Sequence, residues 1–140
     1  MTNLAYLKQL EKTGKYVFHG SIKKFDILEP RQAHHKGRPD GDPGVCATDN
    51  IDIAIFMAIY RGSQFLVTPP SKAGYDGCDY YATKNVLDAA GAATGYVYLL
   101  PKKSFRPFRG EMRSRKKAVP IDVIEVTAAD FPYSVREITL

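Results

Sequence analysis

The sequence predicts an α+β fold of two packed, mainly antiparallel sheets flanked by helices. Two observations favour this class: short segments rich in β-branched and aromatic residues recur along the chain, and two segments carry apolar residues at helical spacing. A third is that no repeat or linker divides the 140 residues. A chain of this length buries a core without disulfides. We therefore expect residues 1–140 to form a single domain.

The first half of the chain is predicted to alternate helices and strands. Leu4, Leu7 and Leu10 predict a helix over residues 3–12 within an N-terminal segment 1–14, capped by Thr2 or Asn3. Further elements follow in order: a strand at 16–19, a long loop rich in Gly and Pro at 30–44, a short strand at 45–47, and a helix capped by Asp49 or Asn50 and ending at residue 60. This second helix is apolar nearly all round, which predicts burial.

The second half is predicted to consist mostly of strands. They are expected at residues 65–68, 96–100, 111–115 and 121–126, with a tyrosine-rich loop at 71–82 and a short helix at 83–90. Thr127 and Asp130 have the spacing of a capping box, which predicts a final helical turn.

The composition excludes several classes of protein. Hydrophobic content of 44% and charged content of 25% are typical of a globular fold. Cys46 and Cys78 lack a paired spacing, which argues against a disulfide framework and a cysteine-rich zinc site. The N-terminus has no apolar core of signal-peptide type, and the longest apolar run, residues 53–60, is too short to cross a bilayer. We expect a cytoplasmic protein without a membrane partner.

The net charge of +5 is concentrated in one segment. Residues 102–117, here called the basic strip, hold eight of the 20 basic residues and one acid, Glu111. Outside the basic strip, twelve basic residues face fourteen acidic ones. Such a strip is either a solvated face or an anion-binding surface, for which phosphate-bearing partners are the natural candidates.

Three motifs follow one another in the order of a known family. A strand ends in His19-Gly20-Ser21, the stretch "GVCATDNIDIAIFMA" gives a short strand and a buried helix, and Glu111 opens a late strand that leads into residues 121–126. Together they resemble the ADP-ribosyltransferase superfamily, specifically its poly(ADP-ribose) polymerase-like branch, whose NAD-binding strands carry His, Tyr and Glu. The resemblance covers residues 16 to about 126, so residues 15–126 are expected to form the NAD-binding core of an ADP-ribosyltransferase-like fold.

The resemblance implies roles for individual residues, with NAD as the substrate. His19 would bind a ribose hydroxyl, and Gly20 and Ser21 belong to the element that holds the nicotinamide carboxamide. Phe56 would stack on the nicotinamide, with Tyr60 as the alternative, because a flat ring binds a flat ring and excludes water. Plain core packing is the other interpretation of Phe56.

Two further roles involve charge. Arg31 would reach the pyrophosphate, because a guanidinium forks onto phosphate oxygens. Glu111 would be catalytic, stabilising the positive charge that develops on the sugar as nicotinamide leaves. A surface ion pair is the alternative for Glu111.

The sequence also departs from the family pattern. Val45 and Cys46 stand where polymerase members have a tyrosine, and the family's carboxamide-binding serine falls near Ile53. The missing tyrosine favours mono-ADP-ribosylation of a protein or nucleic-acid acceptor, or NAD binding alone, over polymer synthesis. His34 and His35 are adjacent and lack further ligands at metal-binding spacing, so no metal site is predicted.

Two alternative functions remain open. A tRNA 2′-phosphotransferase-like enzyme would also use NAD and suits the basic strip, but that family carries an N-terminal Arg-His pair and a winged domain, for which this chain has no room before His19. A non-catalytic module would bind nucleic acid through the basic strip, or NAD without turnover.

Overall fold

The computed structural model describes residues 1–35, 37–39, 41–60, 65–68 and 79–139. Within these ranges the chain is α+β, with three α-helices and three small sheets that are mostly antiparallel. The α+β class is thus confirmed, although the strands form three sheets and a short hairpin rather than two sheets. No helix in the described ranges has the length and apolar content needed to cross a membrane.

The helices and strands are numbered in chain order. The helices are α1 (Asn3–Lys12), α2 (Ile51–Tyr60) and α3 (Lys84–Ala90), and short 3-10 helices occupy Lys102–Ser104 and Ala128–Asp130. The strands are β1 (Tyr16–Ser21), β2 (His34–His35), β3 (Arg38–Pro39), β4 (Val45–Ala47), β5 (Phe65–Thr68), β6 (Asp79–Ala82), β7 (Thr94–Pro101), β8 (Arg106–Phe108), β9 (Glu111–Ser114), β10 (Asp122–Thr127) and β11 (Val135–Glu137).

Each sheet has three strands. The central sheet has the order β1-β7-β10 and is fully antiparallel. The second sheet has the order β4-β9-β8 and is also antiparallel, with Cys46 opposite Arg113. The third sheet, β11-β6-β5, contains the parallel pair β11–β6. Strands β2 and β3 form a separate hairpin.

One backbone bridge joins the central and second sheets in the described structure. Phe18 and Thr48 exchange two hydrogen bonds, with N···O distances of 2.7 and 2.8 Å. Thr48 directly follows β4, so the bridge brings the edge of β1 beside β4, which is an edge strand of the second sheet. No other pairing of named strands joins β1 to β4 among the described residues. This junction positions the cavity described below.

Helix α2 lies directly on the central sheet. Its N-terminus is capped by Asn50, whose Oδ1 accepts from the backbone N–H of Ile53 at 3.1 Å. A Cβ added at Gly20 would lie 2.0 Å from the carbonyl oxygen of Ala54, and one at Gly95 would lie 2.1 Å from that of Ala58. Only glycine permits this backbone-to-backbone approach. The packing of α2 against β1 is therefore by itself a reason for glycine at position 20.

Two hydrophobic clusters cover the faces of the central sheet. Phe18, Val97 and Leu99 pack with α2 on one face. Val17 and Tyr98 point to the opposite face and pack with residues of the second sheet, among them Met112. Both faces of β1 and β7 are largely buried, and the two clusters divide between them because successive side chains of a strand point to opposite faces.

The N-terminal helix α1 is fastened to the start of α2. Thr2 caps α1 through its hydroxyl, which accepts from the N–H of Ala5 at 3.1 Å. Glu11 accepts from the backbone N–H of Ile51 at 2.7 Å, and Lys8 donates to Asp52 at 2.9 Å. Buried Asp52 also accepts from the Tyr133 hydroxyl at 3.2 Å. Burial tends to lower the pKa of Lys8, but the hydrogen bond and charge of Asp52 outweigh it and leave that pKa raised.

We expect Asp52→Asn to reduce the free energy of unfolding by about 1–2 kcal/mol near neutral pH. This loss of stability is smaller than for the breaking of a fully buried ion pair, because the Lys8 side chain is 36% exposed and stays partly hydrated. The raised pKa of Lys8 means that its contribution is complete below pH 10.5 and disappears as the pH rises through the folded-state value. Urea unfolding at neutral and at strongly alkaline pH measures both effects.

Asp88→Asn is the matched control, because its ion pair with Lys84 joins side chains that are 63% and 74% exposed. We expect a change within about 0.5 kcal/mol there. Equal losses in the two variants would contradict a stabilising role for the Lys8–Asp52 pair.

Several boundaries differ from the sequence-based expectation. Residues 79–82, expected within a loop, form β6, because they pair with both β5 and β11. The predicted loop at 30–44 contains the β2–β3 hairpin and a bridge between Arg31 and Gly44. Strands β8 and β11 were not predicted, whereas the helices, the remaining strands and the capping box at Thr127 are confirmed to within a few residues. Residues 71–78 of the expected loop lie outside the described residues.

Candidate functional site

A cavity of about 430 Å³ opens beside β1 and β4, next to the Phe18–Thr48 bridge. Its lining includes His19 and Ser21 from β1, Phe25 and Arg31 from the following segment, and Cys46 from β4. Three residues selected from the sequence, His19, Ser21 and Arg31, therefore meet around one cavity. Its volume lies within the range of small-molecule binding sites.

His19 is fixed by the second sheet. Its Nδ1 lies 2.5 Å from the carbonyl oxygen of Cys46, and its ring meets Tyr98 edge-on at a centroid distance of 5.9 Å. A carbonyl oxygen only accepts hydrogen bonds, so Nδ1 carries the proton. In the neutral ring Nε2 is then a hydrogen-bond acceptor. This tautomer suits a ligand that presents a hydroxyl group to Nε2.

The backbone of Gly20 points toward the same side of β1. In antiparallel pairing, the N–H and C=O groups of alternate residues face the same edge of a strand. Those of Phe18 bond to Thr48 on the edge facing β4, so those of Gly20, two residues further along, face that edge as well. The position where the side chain would be is occupied by α2. Gly20 lies between two cavity-lining residues, His19 and Ser21, but is itself buried and is not among the residues that line the cavity.

A buried tyrosine holds the wall of the cavity in place. The Tyr98 hydroxyl donates to the carbonyl oxygen of Lys23 at 2.9 Å and accepts from the N–H of Phe25 at 2.5 Å. Ser21 Oγ accepts from the N–H of Lys23 at 3.1 Å, which tightens the same turn. Burial raises the pKa of the Tyr98 hydroxyl above its ordinary value. The hydroxyl therefore stays protonated at neutral pH and keeps its donor.

Arg31 supplies positive charge at the rim of the cavity. Its side chain is exposed, and its guanidinium carbon lies 5.3 Å from the centre of the Phe25 ring. Its backbone exchanges hydrogen bonds of 3.0 and 2.9 Å with Gly44, which closes the loop that contains the β2–β3 hairpin. This bridge fixes the backbone position of Arg31, while its side chain is exposed to solvent.

Phe56 and Tyr60 lie on the other side of the central sheet. Phe56 has no exposed surface and packs in the core with α2, in agreement with the plain-core interpretation. Its ring stacks on Tyr60 at a centroid distance of 5.3 Å and also contacts Tyr80 and Phe131. Burial raises the pKa of the half-buried Tyr60. Neither residue lines the cavity beside His19, so this arrangement offers no face of the Phe56 ring to a ligand there.

Glu111 begins β9 and bonds to a neighbour on its own strand. Its Oε1 accepts from Nη2 of Arg113, a buried guanidinium that lies 4.1 Å above the Phe108 ring. The Glu111 side chain is 36% exposed. It shares with Arg113 the face of the second sheet opposite Met112, whose side chain packs in the core. The carboxylate is thus held by a buried cation while staying accessible.

Strand β4 stands between β1 and β9. It bonds to β9 along its length, and the residue after it bridges to β1, so His19 and Glu111 belong to neighbouring sheets. Glu111 is not among the residues that line the cavity beside His19. That the two side chains act on one ligand stays a prediction.

Two residues that shape the site were not selected from the sequence. Tyr98 and Cys46 gain their roles only through strand pairing, which places Tyr98 opposite His19 and brings the Cys46 carbonyl to its ring. The position of Tyr98 could have been predicted from the alternation along β7, which places Tyr96 and Tyr98 on one face of the central sheet. No group of three or more His, Cys, Asp or Glu side chains in the described part of the chain is arranged to hold a metal ion.

Comparison with known proteins gives no further assignment. No family model matches the chain, and neither the curated proteins nor the solved structures provide a match.

Proposed function

We propose that the protein binds NAD in the cavity beside β1 and transfers ADP-ribose to an acceptor, as a mono-ADP-ribosyltransferase. The observation that carries the proposal is the meeting of His19, Ser21 and Arg31 around one cavity, with the polar backbone of Gly20 on the same edge of β1. These residues were selected by their resemblance to an NAD-binding family, and they line the same cavity.

Each group suits one part of NAD. The Nε2 acceptor of His19 matches a ribose hydroxyl, because Nδ1 already donates to Cys46. The N–H and C=O of Gly20 together match a carboxamide, which offers one acceptor and a donor. The exposed guanidinium of Arg31 suits the pyrophosphate. The three groups lie along one segment of chain that Tyr98 anchors at Lys23 and Phe25.

Glu111 is the proposed catalytic carboxylate. The bond between the ribose carbon and nicotinamide breaks, its electron pair leaves with the ring nitrogen, and positive charge develops on the sugar. A fixed carboxylate stabilises that charge. The acceptor then bonds to the same carbon and releases its proton to water. The buried Arg113 holds Glu111 in one orientation, which is the preorganisation that such a role requires.

The direct test is incubation with NAD labelled in its adenylate part, together with protein and nucleic-acid fractions of a cell lysate. Transfer of label to a macromolecule, with release of one nicotinamide for each ADP-ribose transferred, is the expected result. Nicotinamide release without transfer would restrict the activity to NAD hydrolysis and contradict the transferase proposal. Absence of both products would contradict the enzyme assignment.

We expect His19→Ala to weaken NAD binding about 3- to 10-fold, since an uncharged hydrogen bond contributes about 1 kcal/mol net. Titration calorimetry with the folded variant measures the affinity. His34→Ala is the matched control, because His34 is exposed in the β2–β3 hairpin. Equal affinity of the His19 variant and the wild-type protein would remove His19 from the proposed site.

A further inference from the structure

The basic strip folds around a second cavity, which is separate from the one beside β1. This cleft has a volume of about 800 Å³, and its lining shares no residue with that of the first cavity. Its lining comes mainly from two stretches of chain, Pro101 to Phe108 without Lys102, and Arg113 to Val119. Six of the eight basic residues of the strip line it: Lys103, Arg106, Arg113, Arg115, Lys116 and Lys117.

Half of these six cations have an acidic partner in the described structure. Arg113 is paired with Glu111, Arg115 with Asp42 at 2.9 Å, and Lys117 with Glu29 at 3.9 Å. The last two pairs are exposed and therefore weak. The other three, Lys103, Arg106 and Lys116, have no acidic partner among the described residues and are exposed. The cleft therefore carries an excess of positive charge.

The pairing of β8 with β9 brings two of these cations together. Arg106 lies directly opposite Arg113, and like charges at opposed positions of an antiparallel pair destabilise the sheet. Glu111 offsets one of the two guanidinium groups, because it bonds to Arg113. Arg106 instead donates to the carbonyl oxygen of Phe105 at 3.2 Å, which fixes its position without neutralising it. An anion in the cleft would relieve the remaining repulsion.

We propose that this cleft binds the phosphate backbone of a single-stranded nucleic acid. The unneutralised cations Lys103, Arg106 and Lys116 come from both stretches, so they can contact successive phosphates of a strand that lies along the cleft. The apolar side chains of Val119, which is 68% exposed, and Pro107 offer surface to unpaired bases. A duplex presents a convex cylinder and its bases face inward, so it fits this concave surface less well.

The proposal concerns binding alone and does not depend on the proposed transfer reaction. The experiment is fluorescence anisotropy with a labelled single-stranded oligonucleotide of about 12 nucleotides, without NAD and over a range of salt concentrations. The variant combines Lys103→Ala, Arg106→Ala and Lys116→Ala. We expect its affinity at about 100 mM salt to fall about tenfold, and the slope of log affinity against log salt to decrease by about 2, since each contact contributes about 0.7 for a single strand.

The matched control removes the same charge elsewhere, by combining Lys12→Ala, Lys15→Ala and Arg136→Ala, all of which are exposed outside the cleft. We expect its salt slope to equal that of the wild-type protein. Equal slopes in the two triple variants would overturn the site, since the charge effect would then be general. Tighter binding of a duplex of the same length would overturn the preference for a single strand, and equal affinity for polyglutamate would point to an acidic protein instead.

Discussion

Gly20→Ala is expected to destabilise the protein by about 3 kcal/mol or more. The new methyl group would lie 2.0 Å from the carbonyl oxygen of Ala54 and 2.8 Å from the backbone nitrogen of Ala58. Both atoms belong to the backbone of α2, so no side-chain rotation relieves the contact, and the helix must move away from β1. Overpacking of a core costs about 1–3 kcal/mol where side chains can adjust, so a contact with rigid backbone should reach or exceed that range.

Chemical denaturation of the variant measures this loss. Gly91→Ala is the matched control, because Gly91 has an ordinary helical conformation and no atom within 4 Å of the added Cβ. Alanine there should leave stability unchanged or raise it by up to about 1 kcal/mol. A Gly20 variant as stable as the Gly91 variant would contradict the close seating of α2 on the central sheet.

Glu111→Gln is expected to lower NAD turnover by about 10²–10³-fold while NAD affinity stays close to that of the wild-type protein. Ground-state NAD would lose one hydrogen-bond contact at a ribose hydroxyl, which contributes about 1 kcal/mol net. The transition state would lose the negative charge opposite the developing positive charge. A nicotinamide-release assay and a binding titration on the same preparation separate the two effects.

The folded state of this variant has to be checked, because Glu111 also neutralises buried Arg113. Glutamine keeps an oxygen that can accept from Arg113, so the fold should survive with some loss of stability. Glu125→Gln is the control, since Glu125 is exposed on β10. Turnover in the Glu111 variant equal to that of the control would make Glu111 a structural acid and remove the proposed enzyme activity.

Local patterns in the sequence were sufficient for the elements of the central region. Helix α2 is apolar on nearly every side, and β1 and β7 each contain a run of aromatic and aliphatic residues, so each was predictable without knowledge of its neighbours. Strand β6 differs, because Asp79–Ala82 is polar and tyrosine-rich and gains its strand conformation from pairing on both sides. That information lies in β5 and β11, outside the segment itself.

The candidate site was predictable only in part, for the same reason. His19, Ser21 and Arg31 lie within 13 positions of one another, and the resemblance selected them together. Phe56 could not be assigned by pattern, because a helix that is apolar all round does not indicate which face is accessible; the structure buries it completely. The relation of Glu111 to His19 depends on how the central and second sheets join at the Phe18–Thr48 bridge, which no local pattern encodes.

The carboxylate of Glu11 on the first backbone N–H of α2 has a consequence for the folding pathway. A cap supplied by a neighbouring residue forms with its helix, but this one comes from 40 positions away. The intervening chain, which includes all of β1, has to be brought back before the cap closes, and this loop closure costs entropy. Helix α1 should therefore dock late in folding and detach together with the first turn of α2, so that amide protons in both places exchange with solvent through one shared opening.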